Sequence, residues 1–287
     1  MQIIRRPAEM QAWSQGQAKA GKTMGFVPTM GFFHAGHLAL MHRARECADR
    51  VVVSLFVNPT QFGPQEDLAA YPRDFDRDSA LATEAGVDVL FVPEVADMYP
   101  PESKTTVTVS EELTAQLCGA SRPDHFAGVT TVVSKLFNIV RPDLAVFGEK
   151  DFQQLAVIRR MTEDLNFGVE IIGHPIVREE DGLAMSSRNT YLTTEERISA
   201  LSLSQAIALA RQRVAEGEQD TKVLCTALRD FILSFPDTSV DYISFINQDS
   251  LQDVTEVDET TVLALAVHIS GRVRLIDNSY LIDQNSC

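Results

Sequence analysis

The stretch Met24-Gly25-Phe26-Val27-Pro28-Thr29-Met30-Gly31-Phe32-Phe33-His34-Ala35-Gly36-His37 decides how this chain folds. Residues 24 to 28 make a short, apolar, punctuated run, which predicts a buried strand ending at Pro28. Thr29, Met30 and Gly31 read as a turn. From Leu38 to Ala48 the pattern is helical, with Leu38, Met41 and Arg45 placing aliphatic stems on one side. A strand, a glycine-containing turn and a helix start together form an anion site, because the first amides of a helix have no partner within it. Gly36 lets a ligand approach the backbone closely. His34 and His37 flank that approach, and both imidazoles can donate to phosphate oxygens. This layout suits transfer of a nucleotidyl group. A His-x-Gly-His string alone recurs by chance, so the rest of the chain must decide.

Outward from this unit, strands and helices alternate. Val51 to Val57 is a continuous apolar run, as in a parallel strand covered on both faces. A polar loop follows from Asn58 to Asp67, then a helical stretch from Phe75 to Ala85 and a strand from Val87 to Val92. Val107 to Val109 is expected to form a short strand. Val129, Val132, Val133, Leu136, Phe137 and Val140 recur at helical spacing. Asp143 to Phe147 reads as a strand, Gln154 to Asn166 as a helix and Val169 to Ile172 as a strand. Such alternation implies a parallel sheet with right-handed crossovers, and ligands collect beyond the C-terminal ends of its strands.

After about Ile176 the pattern changes. A loop from Arg178 to Leu192 leads to one long helix, Thr194 to Ala215, and a second near Thr221 to Ser234. Three strands follow at Tyr242 to Ile246, Val262 to Ile269 and Val273 to Ile276. Helices followed by antiparallel strands predict a separate α+β domain.

Composition narrows the function. The 287 residues allow one large or two smaller domains, and a 45% hydrophobic content supplies a core. A net charge of −15 argues against a nucleic-acid surface. Any anionic substrate then requires locally gathered cations. No stretch resembles a signal peptide or a membrane span. Cys47, Cys118, Cys225 and Cys287 show no Cys-x-x-Cys pairing, so neither a disulfide framework nor a zinc site is expected, and a reduced cytoplasmic protein is.

Polar clusters fall where the strands end: Asn58-Pro59-Thr60-Gln61-Phe62-Gly63, Gly148-Glu149-Lys150-Asp151-Phe152-Gln153-Gln154 and, before the helix from Val129, Arg122-Pro123-Asp124-His125-Phe126. Amides (Gln61, Gln154) together with cations (Lys150, Arg122) suit a small hydroxylated anion. Met185-Ser186-Ser187-Arg188 places two hydroxyls and a forked guanidinium on a linker able to close over phosphates. From the residues alone, three readings stay open beside a tRNA ligase, which the acidity disfavours. They are an ATP-dependent ligase of a small acid, an adenylyltransferase acting on a phosphorylated acceptor, and a non-catalytic nucleotide-binding protein.

Pro28 to Gly31 with His34 to His37, then Asn58 to Gly63, Arg122 to Phe126, Gly148 to Gln154 and Met185 to Arg188, occur in an order that resembles the pantoate–β-alanine ligase (pantothenate synthetase) family of the nucleotidylyltransferase superfamily. The ending Arg274-Leu275-Ile276-Asp277-Asn278 is similar too. The resemblance implies a Rossmann-like domain over residues 1–176 that binds nucleotide and pantoate, a C-terminal lid domain over 177–287, and a homodimer. It implies ATP-dependent condensation of pantoate with β-alanine through a pantoyl adenylate, giving pantothenate, AMP and pyrophosphate. Carried over by position, Met30, His34, His37, Gly148, Lys150, Asp151, Val177, Met185, Ser186, Ser187 and Arg188 would hold ATP. Of these His34, His37, Lys150 and Arg188 would stabilise the moving charge. Gln61 and Gln154 would grip pantoate, with Asn58, Arg122 and His125 lining the substrate site. Mg²⁺ is expected on the phosphates, held mostly by ATP itself. Many members carry Glu where this chain has Cys118, so no charge role is carried over to that position.

Overall fold

The computed structural model describes residues 1–64 and 66–282, and Cys287 lies outside the described residues. In chain order the elements are β1 (Gln2–Ile4), α1 (Pro7–Lys19), β2 (Met24–Thr29), α2 (Ala35–Cys47), β3 (Arg50–Leu55), α3 (Phe75–Glu84), β4 (Val89–Phe91), α4 (Val95–Met98), α5 (Glu111–Thr114) and α6 (Cys118–Ser121). Then come α7 (His125–Val140), β5 (Leu144–Gly148), α8 (Phe152–Asp164), β6 (Glu170–His174), α9 (Thr194–Ala200), α10 (Ser202–Ala215), α11 (Thr221–Leu233), β7 (Thr238–Asn247), β8 (Thr261–Ile269) and β9 (Val273–Tyr280).

Two compact units form. The first comprises Met1–Ser110, Arg122–Glu149 and Gln154–Pro175; the second takes Glu111–Ser121, Lys150–Gln153 and the chain from Ile176 on. A single boundary after residue 176 was expected, so the second unit includes two excursions besides its C-terminal segment. Gln153 accounts for their association: its Nε2 donates to the carbonyls of Leu113 and Gln116, and its Oε1 accepts from the Cys118 amide.

The first unit is built on a six-stranded sheet of order β1-β4-β3-β2-β5-β6, parallel at each pairing. Successive side chains alternate faces. Phe26, Val52, Val89 and Ala145 join one buried cluster with helix residues such as Met10, Val133, Leu136 and Phe137. Their neighbours Val27, Val51, Val53, Leu90 and Val146 join a second with Met41, Ala44 and Ala82. Both faces are thus covered, which is why these strands read as unbroken apolar runs. Each of the larger aliphatic and aromatic side chains contributes roughly 1.5–3 kcal/mol through burial. The strand order reverses between β2 and β5, so the crevice that parallel sheets use for ligands opens where β2 and β5 end.

The second unit carries the antiparallel sheet β7-β8-β9. Leu203, Ile207, Leu224 and Leu228 of α10 and α11 pack against Phe245, Leu263, Leu265 and Leu275. The expected parallel sheet domain with a smaller α+β domain is the fold observed.

Two local expectations need correction, and one pair of elements was not foreseen. Val107–Val109 is not a strand: the Val107 amide donates to Thr131 Oγ1 at 3.0 Å and its carbonyl accepts from Thr130 Oγ1 at 2.6 Å, so α7 hydroxyls take the place of a neighbouring strand. The single helix over 194–215 is two, α9 and α10, separated by a one-residue turn at Leu201, which keeps right-handed helical dihedrals of φ −65° and ψ −16°. The Thr193–Glu196 capping box starts the first of them. Finally, β1 and α1 precede every element the patterning suggested; α1 buries only Met10 and Ser14, too few positions to leave a period. Among the described residues, no helix is long and apolar enough to cross a membrane.

Candidate active site

In the first unit, β2 delivers its C-terminal end to a tight turn. Thr29 Oγ1 donates to the Ser54 carbonyl at 2.6 Å and ties the end of β2 to β3. Gly31 follows at φ 91°, and a Cβ there would meet Asp78 Oδ2 at 3.1 Å and Leu55 Cγ at 3.2 Å, so glycine is required on both counts. Phe33 is fully buried and anchors the chain before the helix.

His34 is the N-cap of α2, which begins three residues earlier than expected. Its Nδ1 accepts from the Gly36 amide at 3.1 Å, while its own amide donates to His37 Nδ1 at a long 3.4 Å. The ring centroids lie 4.1 Å apart. An amide nitrogen can only donate, so each Nδ1 presents a lone pair, and in the neutral imidazole the ring proton of both histidines sits on Nε2. The Gly36 amide, expected to serve an anion, is occupied by His34.

Asn58 and Gln61 lie beyond β3. Asn58 is 1% exposed and fully engaged. Its Nδ2 donates to Gln61 Oε1 at 3.1 Å and to the Gly128 carbonyl at 3.2 Å; its Oδ1 accepts from Tyr99 Oη and Thr60 Oγ1, both at 2.9 Å. Burial holds the Tyr99 phenol above its usual range, keeping it protonated as a donor. With Oε1 spoken for, Gln61 presents its NH₂, which reaches Met30 Sδ at 3.6 Å.

Arg122 and His125 converge on the backbone of the same glutamine. His125 Nδ1 donates to the Gln61 carbonyl at 2.8 Å and Arg122 Nη2 donates to it at 3.3 Å. Arg122 Nη1 donates to His125 Nε2 at 3.1 Å, and the guanidinium forks onto the Glu66 carboxylate. Burial alone would raise Glu66, but the paired Arg122 outweighs it and keeps the carboxylate below its usual range. Gly148, at the end of β5, and Gln154, in the first turns of α8, belong to this unit as well.

The second unit gathers the remaining candidates. Lys150 Nζ stands 4.0 Å from Asp151 Oδ2, and the Lys150 carbonyl accepts from Asn278 Nδ2 at 2.9 Å. Residues 177 to 185 fold back on themselves: the Met185 amide donates to the Val177 carbonyl at 2.9 Å, next to an antiparallel bridge between Arg178 and Ala184. Arg178 braces this hairpin through a two-pronged contact with the buried Asp277 at 2.7 and 2.9 Å. Ser186 Oγ caps the short 3₁₀ helix Ser187–Tyr191 by accepting from the Arg188 amide at 3.2 Å. Met185 to Arg188 is therefore held by a braced hairpin within its unit rather than sitting on a bare linker.

Sequence reasoning missed Asp78, Tyr99, Glu66 and Arg178, which act on the candidate residues from distant positions and carry no local motif. Asp277 lay within the recognised ending, yet its partner was not legible. Cys118 Sγ stands 3.3 Å from Tyr242 Oη and 3.5 Å from Arg274 Nη2, and Arg274 also donates to Asp241 Oδ2 at 2.9 Å. His42 is exposed, His174 ends β6 and His268 lies in β8, outside these clusters. Among the described residues, no group of three or more His, Cys, Asp or Glu is placed to hold a metal ion.

The comparisons with known proteins agree with one another. A family profile described as pantoate-beta-alanine ligase matches residues 2–280. The chain is 59% identical over 278 residues to the pantothenate synthetase of Heliobacterium modesticaldum, covering 97% of this chain and 98% of that one. It is 55% identical to that of Syntrophus aciditrophicus, covering 97% and 96%. Among solved structures, pantothenate synthetase from Thermus thermophilus superposes with a TM-score of 0.93 at 44% identity, covering 99% of this chain and all of that one. A Francisella tularensis pantoate-beta-alanine ligase, solved with beta-gamma ATP and beta-alanine, gives a TM-score of 0.80 at 32% identity with 98% of both chains covered.

Proposed function

This chain belongs to the pantoate–β-alanine ligase family, and from that membership we propose that it joins pantoate to β-alanine to make pantothenate at the expense of ATP, through a pantoyl adenylate. A pantoate carboxylate oxygen attacks the α-phosphorus, the bond from that phosphorus to the bridging oxygen breaks, and pyrophosphate leaves. The amine of β-alanine then attacks the acyl carbon, the acyl–oxygen bond breaks, AMP leaves and the nitrogen gives its proton to solvent. Neither step needs a covalent enzyme nucleophile. Catalysis rests on positioning two anions and stabilising charge that moves onto pyrophosphate.

The observation that carries this reading is the self-capped turn at His34 and His37. It fixes both imidazoles by their Nδ1 atoms at the end of β2, beside the reversal of strand order. We assign these imidazoles, with Lys150 and Arg188, to stabilising the phosphates, each contributing about 2–4 kcal/mol by analogy with an oxyanion donor. Met30, Gly148, Asp151, Val177, Met185, Ser186 and Ser187 complete the ATP contacts. Gln61, presenting its NH₂, and Gln154 are assigned to pantoate. Asn58, Arg122 and His125 serve the pantoate pocket by fixing Gln61. Mg²⁺ would be held mostly by the ATP phosphates, offsetting their charge. By family resemblance we also propose a homodimer in the cytoplasm, with the second unit serving as a lid.

The test is exchange of labelled pyrophosphate into ATP. Exchange that requires pantoate, with AMP released only when β-alanine is added, is expected. Formation of ADP and phosphate would eliminate the adenylate route.

A further inference from the structure

Asp78 lies on α3, outside every motif, yet its carboxylate is spent entirely on the histidine turn. Oδ2 accepts from the Phe32 amide at 2.6 Å and Oδ1 from the Phe33 amide at 2.7 Å. The residue is 1% exposed. A buried carboxylate is costly, and here two backbone amides supply the compensation. Those amides belong to a strained turn. Phe32 has φ 53°, a region that a bulky side chain rarely adopts, and it directly follows Gly31 at φ 91°. Left alone, such a turn would relax. The Arg77 guanidinium packs over the Phe32 ring at 5.0 Å, so consecutive residues of α3 hold the turn by side chain and by backbone. Phe33 leads straight into His34, and its ring lies 5.6 Å from that of His37.

We propose that Asp78 is the positioning residue of the histidine turn: by clamping the amides of Phe32 and Phe33, it fixes where His34 and His37 stand. This rests on the adenylating role given to those histidines above. Asp78 touches no reacting atom, and its effect on rate passes through the turn. Nothing in its sequence context, Phe75-Asp76-Arg77-Asp78-Ser79, distinguishes it from an ordinary acidic helix start.

The experiment compares wild type with Asp78→Asn and Asp78→Ser in pantoate-dependent pyrophosphate–ATP exchange, with folding scored by circular dichroism and thermal unfolding. Asn offers one amide an acceptor and opposes the other with its own N–H groups; Ser is short and neutral. The expected result is folded protein in which kcat for exchange falls at least about tenfold, as displaced catalytic groups imply, while KM for pantoate stays within threefold because Gln61 and Gln154 sit on other elements. Folded variants with wild-type exchange overturn the proposal. So do equal losses in kcat and pantoate KM, or failure of both variants to fold, since Asp78 would then serve the scaffold at large. If wild type itself shows no pantoate-dependent exchange, the functional reading fails instead.

Discussion

Asn58 Nδ2 stands 3.1 Å from Gln61 Oε1, and that contact decides which end of the glutamine amide is on offer. Asn58→Ala removes it and also strands Tyr99 Oη and the Gly128 carbonyl. Such buried losses cost about 1–3 kcal/mol. KM for pantoate should rise about tenfold, with a lower thermal midpoint. Tyr99→Phe, which keeps Asn58, should have a severalfold smaller effect in steady-state kinetics. An unchanged KM in Asn58→Ala would show that Gln61 does not meet pantoate through its NH₂.

His34 has two jobs that substitution can separate. Asn at this position retains an acceptor for the Gly36 amide but cannot reach as far as Nε2. His34→Asn should unfold within a few degrees of wild type and lose about 10²–10³ in adenylation, as for a deleted oxyanion donor. His34→Ala should lose the same activity and, in addition, about 1 kcal/mol of helix capping. Calorimetry beside exchange kinetics separates the two.

Gly128 leaves no room for a side chain. A Cβ would stand 2.4 Å from the Thr60 carbonyl oxygen and 2.7 Å from the Gln61 amide nitrogen, both backbone atoms. Gly128→Ala must push the Gln61 segment away, at about 1–3 kcal/mol. The expected signature is weakened pantoate binding with KM for ATP nearly unchanged.

Asp277, 2% exposed at its side chain, anchors Arg178 and with it the hairpin joining Val177 to Met185. Asp277→Asn keeps the shape and removes the charge. Because Arg178 is about a third exposed, solvent screens part of the loss, leaving roughly 2 kcal/mol. KM for ATP should rise several-fold while KM for pantoate holds. The opposite pattern would detach this hairpin from ATP.

Acid should loosen the Arg122–Glu66 fork. Glu66 is held below its usual value of 4.5, so it binds its proton more readily when unfolded. Its stabilisation is present above that value and is lost as pH falls through the lower folded pKa. Asp181, Glu196 and Asp258 are also lowered and act in the same direction. Asp78, raised by burial, acts oppositely: its contribution is full at low pH and is lost as pH rises through its folded value. Chemical denaturation between about pH 5 and 3 should show a steeper decline for wild type than for Glu66→Gln. Parallel curves would remove Glu66 from the acid response.

Much of the fold was legible because burial leaves a period. β2, β3 and β5 are covered on both faces and read as unbroken apolar runs, and α7 is buried nearly all round, with its large apolar residues still at helical spacing. β1 and α1 were not legible, since a three-residue strand and a helix burying two residues leave no pattern. Val107–Val109 misled because valines favour extended backbone whether the partner is a strand or a pair of helix hydroxyls. The interruption at Leu201 was hidden because Ser199, Ala200, Ser202 and Leu203 are all buried across it.

For the site, the sequence by itself determined the chemical groups and the local hydrogen bonds among near neighbours: His34 with His37, Asn58 with Gln61, Ser186 with Arg188. These residues lie two or three positions apart, and local geometry suffices to bring them together. Only the tertiary structure decided which atom each group presents. Asp78 reaches the histidine turn across 46 residues, Tyr99 reaches Asn58 across 41 and Asp277 reaches Arg178 across 99. Chain closure over such spans depends on how whole elements pack, and a buried polar atom then turns toward whatever partner that packing leaves within reach.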